Sequence, residues 1–208
     1  MGTWPAVLFE GGSERRLRRE KQPAASRFLR QARPGAEPIG WSNLTTPRLL
    51  LRPQQLGDAP ALFAILSDAR AMRFWNRSTI DRLPVVEEVL RGQQQAMADG
   101  QCCYWTLIQE GEAIGSVDLS LIRSGSAELG FVLRPDRWGQ GLASEAVGAV
   151  IAHAFDGLLL TRIAAAVRTE NKAAARVLEK NGFTQIASRP VLLASGVRAD
   201  CDFYLCGR

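Results

Sequence analysis

The hydrophobic pattern changes period along the chain, and each change marks an element. Arg48-Leu-Leu-Leu-Arg52 reads as a first strand closed by Pro53. Asp58-Ala-Pro60 supplies an acidic cap with a proline just inside it, and Leu62, Phe63, Ile65 and Leu66 provide the buried face of a helix reaching about Ser67. A second helix is predicted over Val85–Ala98, ended by Asp99-Gly100. Strands follow at Tyr104–Gln109, Ala113–Ile122 and Ala127–Leu133, and the turns Glu110-Gly111-Glu112 and Ser124-Gly125-Ser126 are short enough for an antiparallel meander. Helical spacing returns at Ala143, Val147, Val150 and Ala154, giving a helix through about Phe155. The next strand, Arg162–Val167, must then run parallel to Ala127–Leu133, because a helical crossover joins them. Asn171 to Lys180 forms another helix, stopped by Asn181-Gly182. Phe183–Ala187 and Cys201–Leu205 are expected as closing strands joined by a long loop.

The junction between the third meander strand and its crossover helix carries the most chemistry. In Glu128-Leu-Gly-Phe-Val-Leu-Arg-Pro-Asp-Arg-Trp-Gly-Gln-Gly-Leu-Ala-Ser-Glu145 a strand meets a short turn and then glycines that open a helix. Gly139 and Gly141 remove side chains that would hold an anion away from the backbone, and the first helical N–H groups lack internal partners, so the segment suits a phosphate. A dinucleotide fingerprint does not fit. Arg134–Trp138 separates the strand from the first glycine, and Ser144 occupies the third glycine's place. Gly-Lys-Ser/Thr is absent, which excludes a P-loop.

Charge looks basic only until it is divided. Of 26 Lys and Arg against 21 Asp and Glu, residues 1–40 hold eight against four, so residues 41–208 carry a net of only +1. A basic footprint for nucleic acid is confined to the tail, where Pro23, Pro34 and Pro38 also interrupt any long helix. We therefore expect a flexible basic extension over residues 1–43 and one domain over residues 44–208. Four Glu in the tail argue against a mitochondrial transit peptide, and Ala6-Val-Leu-Phe9 is too short for a signal-peptide core. No apolar run reaches the length of a bilayer span, so a cytoplasmic location is expected. Cys102, Cys103, Cys201 and Cys206 lack zinc-site spacing, and His153 is the sole histidine, so no metal is expected and the thiols read as ordinary reduced residues.

In order along the chain, Thr46-Pro-Arg48-Leu-x-Leu-Arg52, Gly57-Asp58, Ile114-Gly115, Glu128-Leu-Gly130, Pro135, Trp138-Gly-Gln-Gly-Leu-Ala-Ser-Glu-Ala146 and Glu170-Asn-x-x-Ala-x-x-Val-Leu-Glu-Lys-Asn-Gly-Phe183 resemble the GNAT superfamily of N-acetyltransferases, specifically its RimJ/RimL-type branch. The resemblance implies an α/β (α+β) GNAT fold: a mixed, mostly antiparallel sheet of six to seven strands flanked by helices, with a splayed parallel pair at the CoA site. It implies acetyl-CoA as cosubstrate, with the pyrophosphate on the segment Trp138, Gly139, Gln140, Gly141, Leu142, Ala143 and Ser144. The pantetheine arm would lie along Phe131, Val132 and Leu133, and Asn171 would touch it from the second wall, in addition to capping its helix. Trp138 replaces the polar residue of the general GNAT cradle and also suits packing under the loop.

The reaction needs a neutral amine, an oxyanion donor and a departing thiolate. By resemblance the donor is the Val132 N–H. An α-amine costs about 1 kcal/mol to neutralise at pH 7 and a lysine about 4.6 kcal/mol, so a site without a strong base favours α-amines. Leu178 stands where many relatives place a tyrosine acid, and Ala166 where some N-terminal acetyltransferases place a glutamate. Glu128 is then the first candidate base and Asp118 the second, each equally readable as a structural carboxylate; Ser144 is a candidate donor to the leaving group or a phosphate. Tyr204 and Asp200 are expected to pack or to orient an acceptor, His153 to lie on the polar face of its helix, and Phe74 and Trp75 to line the acceptor mouth or the core. The expected partners are acetyl-CoA and a primary amine, on a protein N-terminus or a small molecule. Aminoglycosides or polyamines remain alternative acceptors, a non-catalytic CoA sensor and a basic-tail RNA binder remain alternative functions, and a homodimer is possible.

Overall fold

The computed structural model describes residues 42–76, 78–193 and 196–208. The expected extension, but for its last two residues, therefore lies outside the described residues. The strands are β1 (Leu44–Thr45), β2 (Leu50–Pro53), β3 (Cys103–Gln109), β4 (Glu112–Arg123), β5 (Ser126–Leu133), β6 (Arg162–Arg168), β7 (Thr184–Leu192) and β8 (Arg198–Gly207); the helices are α1 (Ala59–Leu66), α2 (Ala69–Met72), α3 (Leu83–Ala98), α4 (Leu142–Ala152) and α5 (Lys172–Lys180). One sheet holds all the strands in the order β1-β2-β3-β4-β5-β6-β8-β7, and every neighbouring pair is antiparallel except β5 with β6. The fold is thus the expected mixed, mostly antiparallel sheet with one parallel pair, with eight strands among the described residues, one or two more than expected.

Each surplus or shifted element has a local reason. β1 is two residues long, too short for a period. The closing strands form a hairpin reaching Leu192 and restarting at Arg198, so the expected long loop is in fact strand. β7 is exposed at every position but Val191, so burial imposes little alternation on its sequence.

The two faces of the sheet bury different clusters. On one, Leu142, Val147 and Val150 of α4 and Leu178 of α5 pack against Leu51, Trp105, Leu107, Ile114, Leu129 and Ile163. On the other, Leu62 and Ile65 of α1 and Val86 and Leu90 of α3 meet Val132 of β5. His153 belongs to the first cluster's border and not to a polar helix face: its ring meets the Trp105 edge at 5.8 Å in the π-turn that follows α4. Tyr204, 2% exposed, is core.

Two polar locks tie the first strands to the rest. Asp58 is 4% exposed and stands at the N-cap of α1 as expected, but its side chain makes no cap bond there; its carboxylate receives Arg52 Nη1 at 2.9 Å, Thr106 Oγ1 at 2.6 Å and the Gln55 N–H at 2.9 Å. Burial opposes its ionisation, but those donors outweigh it and hold the group below the ordinary aspartate range. Glu145, in the first turn of α4, receives Thr46 Oγ1 at 2.6 Å, the Arg48 N–H at 2.9 Å and the Arg48 guanidinium. The motif Thr46-Pro-Arg48 is therefore a clamp on the start of α4.

Candidate active site

β5 and β6 pair for three residues each, ending at Glu128↔Ala164, and then part. Beyond that point β5 keeps its bonds to β4 on one side only. Arg134 N–H donates to Ile114 O at 2.8 Å, toward β4, whereas Gly125 O accepts from Thr161 N at 2.7 Å, toward β6. Backbone direction alternates along a strand. Even-numbered residues of β5 therefore face β4 and odd-numbered ones face the gap. The Val132 N–H is accordingly turned to its register partner Ser116, away from the expected oxyanion position. The amides of Phe131 and Leu133 face the opening instead. The Leu133 carbonyl is met there by Trp138 Nε1 at 3.0 Å, which ties the following loop to the strand end.

That loop keeps the two glycines for their backbone. Gly139 and Gly141 have φ of 74° and 78°, and a Cβ at Gly139 would meet nothing within 4 Å, so conformation and not space excludes other residues there. Gly141 caps α4 in the left-handed conformation, leaving the first-turn amides of Leu142, Ala143 and Ser144 directed outward. Leu142 is 1% exposed, its side chain packed into the main core. Gln140 is fixed at both ends, its Nε2 on Asp136 O at 3.2 Å and its carbonyl on Arg48 Nη1 at 2.8 Å. Such a row of amides at a helix N-terminus suits a pyrophosphate. Ser144 Oγ, however, accepts Asn181 Nδ2 at 3.0 Å, which joins α4 to α5. Like the rest of the 138–144 segment, it does not line the groove described next.

A groove of about 1140 Å³ runs from α3 across the sheet into the β5–β6 gap. Its floor is a polar stripe that includes Gln54, Tyr104, Ser116, Asp118, Ser120 and Glu128, and Asn171 reaches it while its Oδ1 caps α5 through the Ala174 N–H at 3.2 Å. Asp118 and Glu128 stand diagonally, since Asp118 opposes Gly130 and Ser120 opposes Glu128. Burial pushes Asp118 up to about 7, helped by the Glu128 charge and partly offset by the Ser120 hydroxyl. Burial likewise pushes Glu128 up to about 7, against the pull of Arg123. Both carboxyls are therefore held above the ordinary carboxylate range, and the Glu128 charge acts on Asp118. Phe74 and Trp75 line the groove, with the Arg73 and Arg168 guanidinium carbons 5.0 and 5.9 Å from the Phe74 ring centre. Gln54, Ser116 and Ser120 went unnoticed in the sequence, although Ser116-Val-Asp-Leu-Ser120 alternates polar and apolar as a one-sided polar strand would. The four cysteines are buried free thiols, and no metal-binding group of His, Cys, Asp or Glu occurs among the described residues.

The sequence profile of the acetyltransferase (GNAT) domain matches residues 48–184, a span that contains the half-paired parallel strand, the glycine-opened helix and most of the groove's lining. The chain belongs to the GNAT acetyltransferase family. An uncharacterized N-acetyltransferase of Bacillus subtilis, YoaA, is 28% identical over 166 residues, covering 77% of this chain and 94% of that protein. In fold, the GNAT domain superposes on RimJ of Mycobacterium smegmatis, solved with a CoA disulfide, with a TM-score of 0.72 at 22% identity over 80% of this chain and 86% of that one. RimL, the ribosomal L7/L12 α-N-protein acetyltransferase, gives 0.73 at 19% identity over 80% and 94%. No helix among the described residues is long and apolar enough to cross a membrane.

Proposed function

We propose that this GNAT domain transfers an acetyl group from acetyl-CoA to a weakly basic primary amine, a protein N-terminus or a small molecule, by direct attack in a ternary complex. The observation that carries the reading is the parting of β5 from β6 after Glu128↔Ala164, beside a groove floored by two carboxylates. Acetyl-CoA supplies the activated thioester. The amides of Leu142, Ala143 and Ser144, with Gly139 and Gly141 shaping the turn, hold the pyrophosphate. Phe131 and Leu133 offer their gap-facing amides to the pantetheine arm and thioester, with the Phe131 N–H as the oxyanion donor in place of Val132. Asn171 borders the arm from α5.

The acceptor class follows from proton affinity. A carboxylate site near 7 lies within about a unit of an α-amine at 7.7–8.0 but more than three units from a lysine-like amine near 10.4. Transfer of the proton is then nearly level for the first and steeply uphill for the second. The position where relatives carry a tyrosine acid is Leu178, fully buried in the main core, so the thiolate leaves without help from that side chain.

Thiol release from acetyl-CoA, measured against peptides, amino sugars, polyamines and lysine analogues, tests the proposal. Release with α-amine peptides or amino sugars, exceeding that with lysine analogues at pH 7, is the expected outcome. Stabilisation by CoA with no release for any amine would leave a CoA-binding module and refute transfer.

A further inference from the structure

Gly130 stands between Glu128 and Val132 on the groove side of β5, directly opposite Asp118 on β4. A Cβ placed on Gly130 would lie 2.7 Å from Asp118 Oδ1 and 3.3 Å from Oδ2. The Asp118 carboxylate thus lies across β5 in the space where a side chain would otherwise be. The next residue, Phe131, turns its amide into the gap. Glu128 sits two pairs further back, where β5 and β6 are still joined. The Asp118 carboxylate thus lies beside the residue that precedes the gap-facing Phe131 amide, whereas Glu128 is three residues before it on the strand.

We propose that Asp118, whose carboxylate fills the place of a side chain at Gly130, is the proton acceptor for the incoming amine and that Glu128, on the same face, is a positioning residue. This rests on the acetyltransferase reading above. An R–NH3+ group gives one proton to the Asp118 carboxylate. The freed nitrogen lone pair adds to the thioester carbon, forming C–N and moving the carbonyl pair onto oxygen, opposite the Phe131 N–H. The C–S bond then breaks with its electron pair on sulfur; the nitrogen's second proton passes to that thiolate, and Asp118 returns the first to solvent. The products are R–NH–acetyl, CoA thiol and one proton.

The surroundings of Asp118 are mixed in charge. Tyr104 stands across on β3, Glu128 and Arg123 belong to β5 and its hairpin, Glu88, Arg91 and Asp99 line the groove from the α3 side, Arg168 lines it from β6, and Cys102 and Cys103, pushed up to about 12 by burial, are neutral at pH 7. Glu128 is the group that raises Asp118 most strongly after burial.

The test combines pH–rate profiles with carboxyl carbon-13 titrations of the ligand-free protein. Asp118→Asn should lower kcat/KM by about 100-fold or more at pH 6.5, with the deficit narrowing above pH 9 as the free amine forms unaided. Glu128→Gln should retain most activity at pH 8 and move the acidic limb about one unit lower. Gly130→Ala should lower kcat with little change in the CoA dissociation constant. In the titrations Asp118 should move near pH 7 in the native chain and clearly lower in Glu128→Gln. A reversed pattern, with Glu128→Gln abolishing the limb and Asp118→Asn merely shifting it, would overturn the assignment, as would an Asp118 signal titrating near 4. Because the titration needs no turnover, it judges the pair even if no amine is acetylated.

Discussion

Gly130 and Asp118 illustrate how a function can cost stability at a single residue. A carboxylate whose folded pKa is raised binds its proton more tightly when folded, so its contribution is greatest below the unfolded value near 4 and is lost as pH rises through about 7. Asp118→Asn should therefore raise Tm at pH 8 and leave it nearly unchanged at pH 4, as read by thermal scans across that range. Asp58 has the opposite sign. Its folded value is lowered, so its stabilisation is intact above about pH 4 and fades as pH falls through the folded value. Asp58→Asn should cost about 2–3 kcal/mol in urea unfolding at pH 7, because it weakens a largely buried pair with Arg52 and the bond from Thr106. The sequence marked Asp58 as a helix cap from its spacing to Pro60. The partners that claim it, Arg52 and Thr106, come from other strands and leave no local trace.

At the scale of elements, α4 does two jobs, and both depend on how its first turn is held. Glu145 binds it to Thr46 and Arg48, and Asn181 binds Ser144 from the end of α5 while also donating to Val177 O at 2.8 Å. Glu145→Ala should lower CoA affinity in calorimetry several-fold without changing the acidic limb of the rate profile, because it loosens the amide row and not the carboxylates. Gly115 has a comparable role in the sheet. A Cβ there would run into the Val132 carbonyl, so Gly115→Ala should destabilise by about 1–3 kcal/mol. Most element bounds were legible because one face of each strand or helix is buried: β3 and β5 begin one residue earlier than expected, and β4 is longer by one residue at each end. The hairpin β7–β8 was read short because exposed strand carries little hydrophobic signal. The Val132 amide was misplaced for a different reason. Which way an N–H points depends on the pairing of β5 with β4, a register that composition and motif do not encode.

Across the whole molecule, the basic excess lies in residues 1–40 and the near-neutral remainder carries the site, so charge alone gave no hint of the groove. What made the cradle visible from the sequence was the glycine pair, whose positive φ only glycine adopts cheaply. What hid the groove's floor was that its polar residues alternate with core residues along three consecutive strands, and that Gln54 joins them from the distant end of β2. If CoA binds the folded chain alone, saturation at 100 times its dissociation constant should add about 2.7 kcal/mol of stability, seen as a raised Tm.

Amide nitrogen-15 spectra recorded while free coenzyme A is added test the parted strands and the open helix end most directly. The signals of Phe131, Leu133, Leu142, Ala143 and Ser144 should shift together and saturate, with Val132, turned to β4, moving much less. Saturable binding that leaves Phe131 and Leu133 unmoved, or that shifts Val132 most, would contradict the placement of the cosubstrate between β5 and β6.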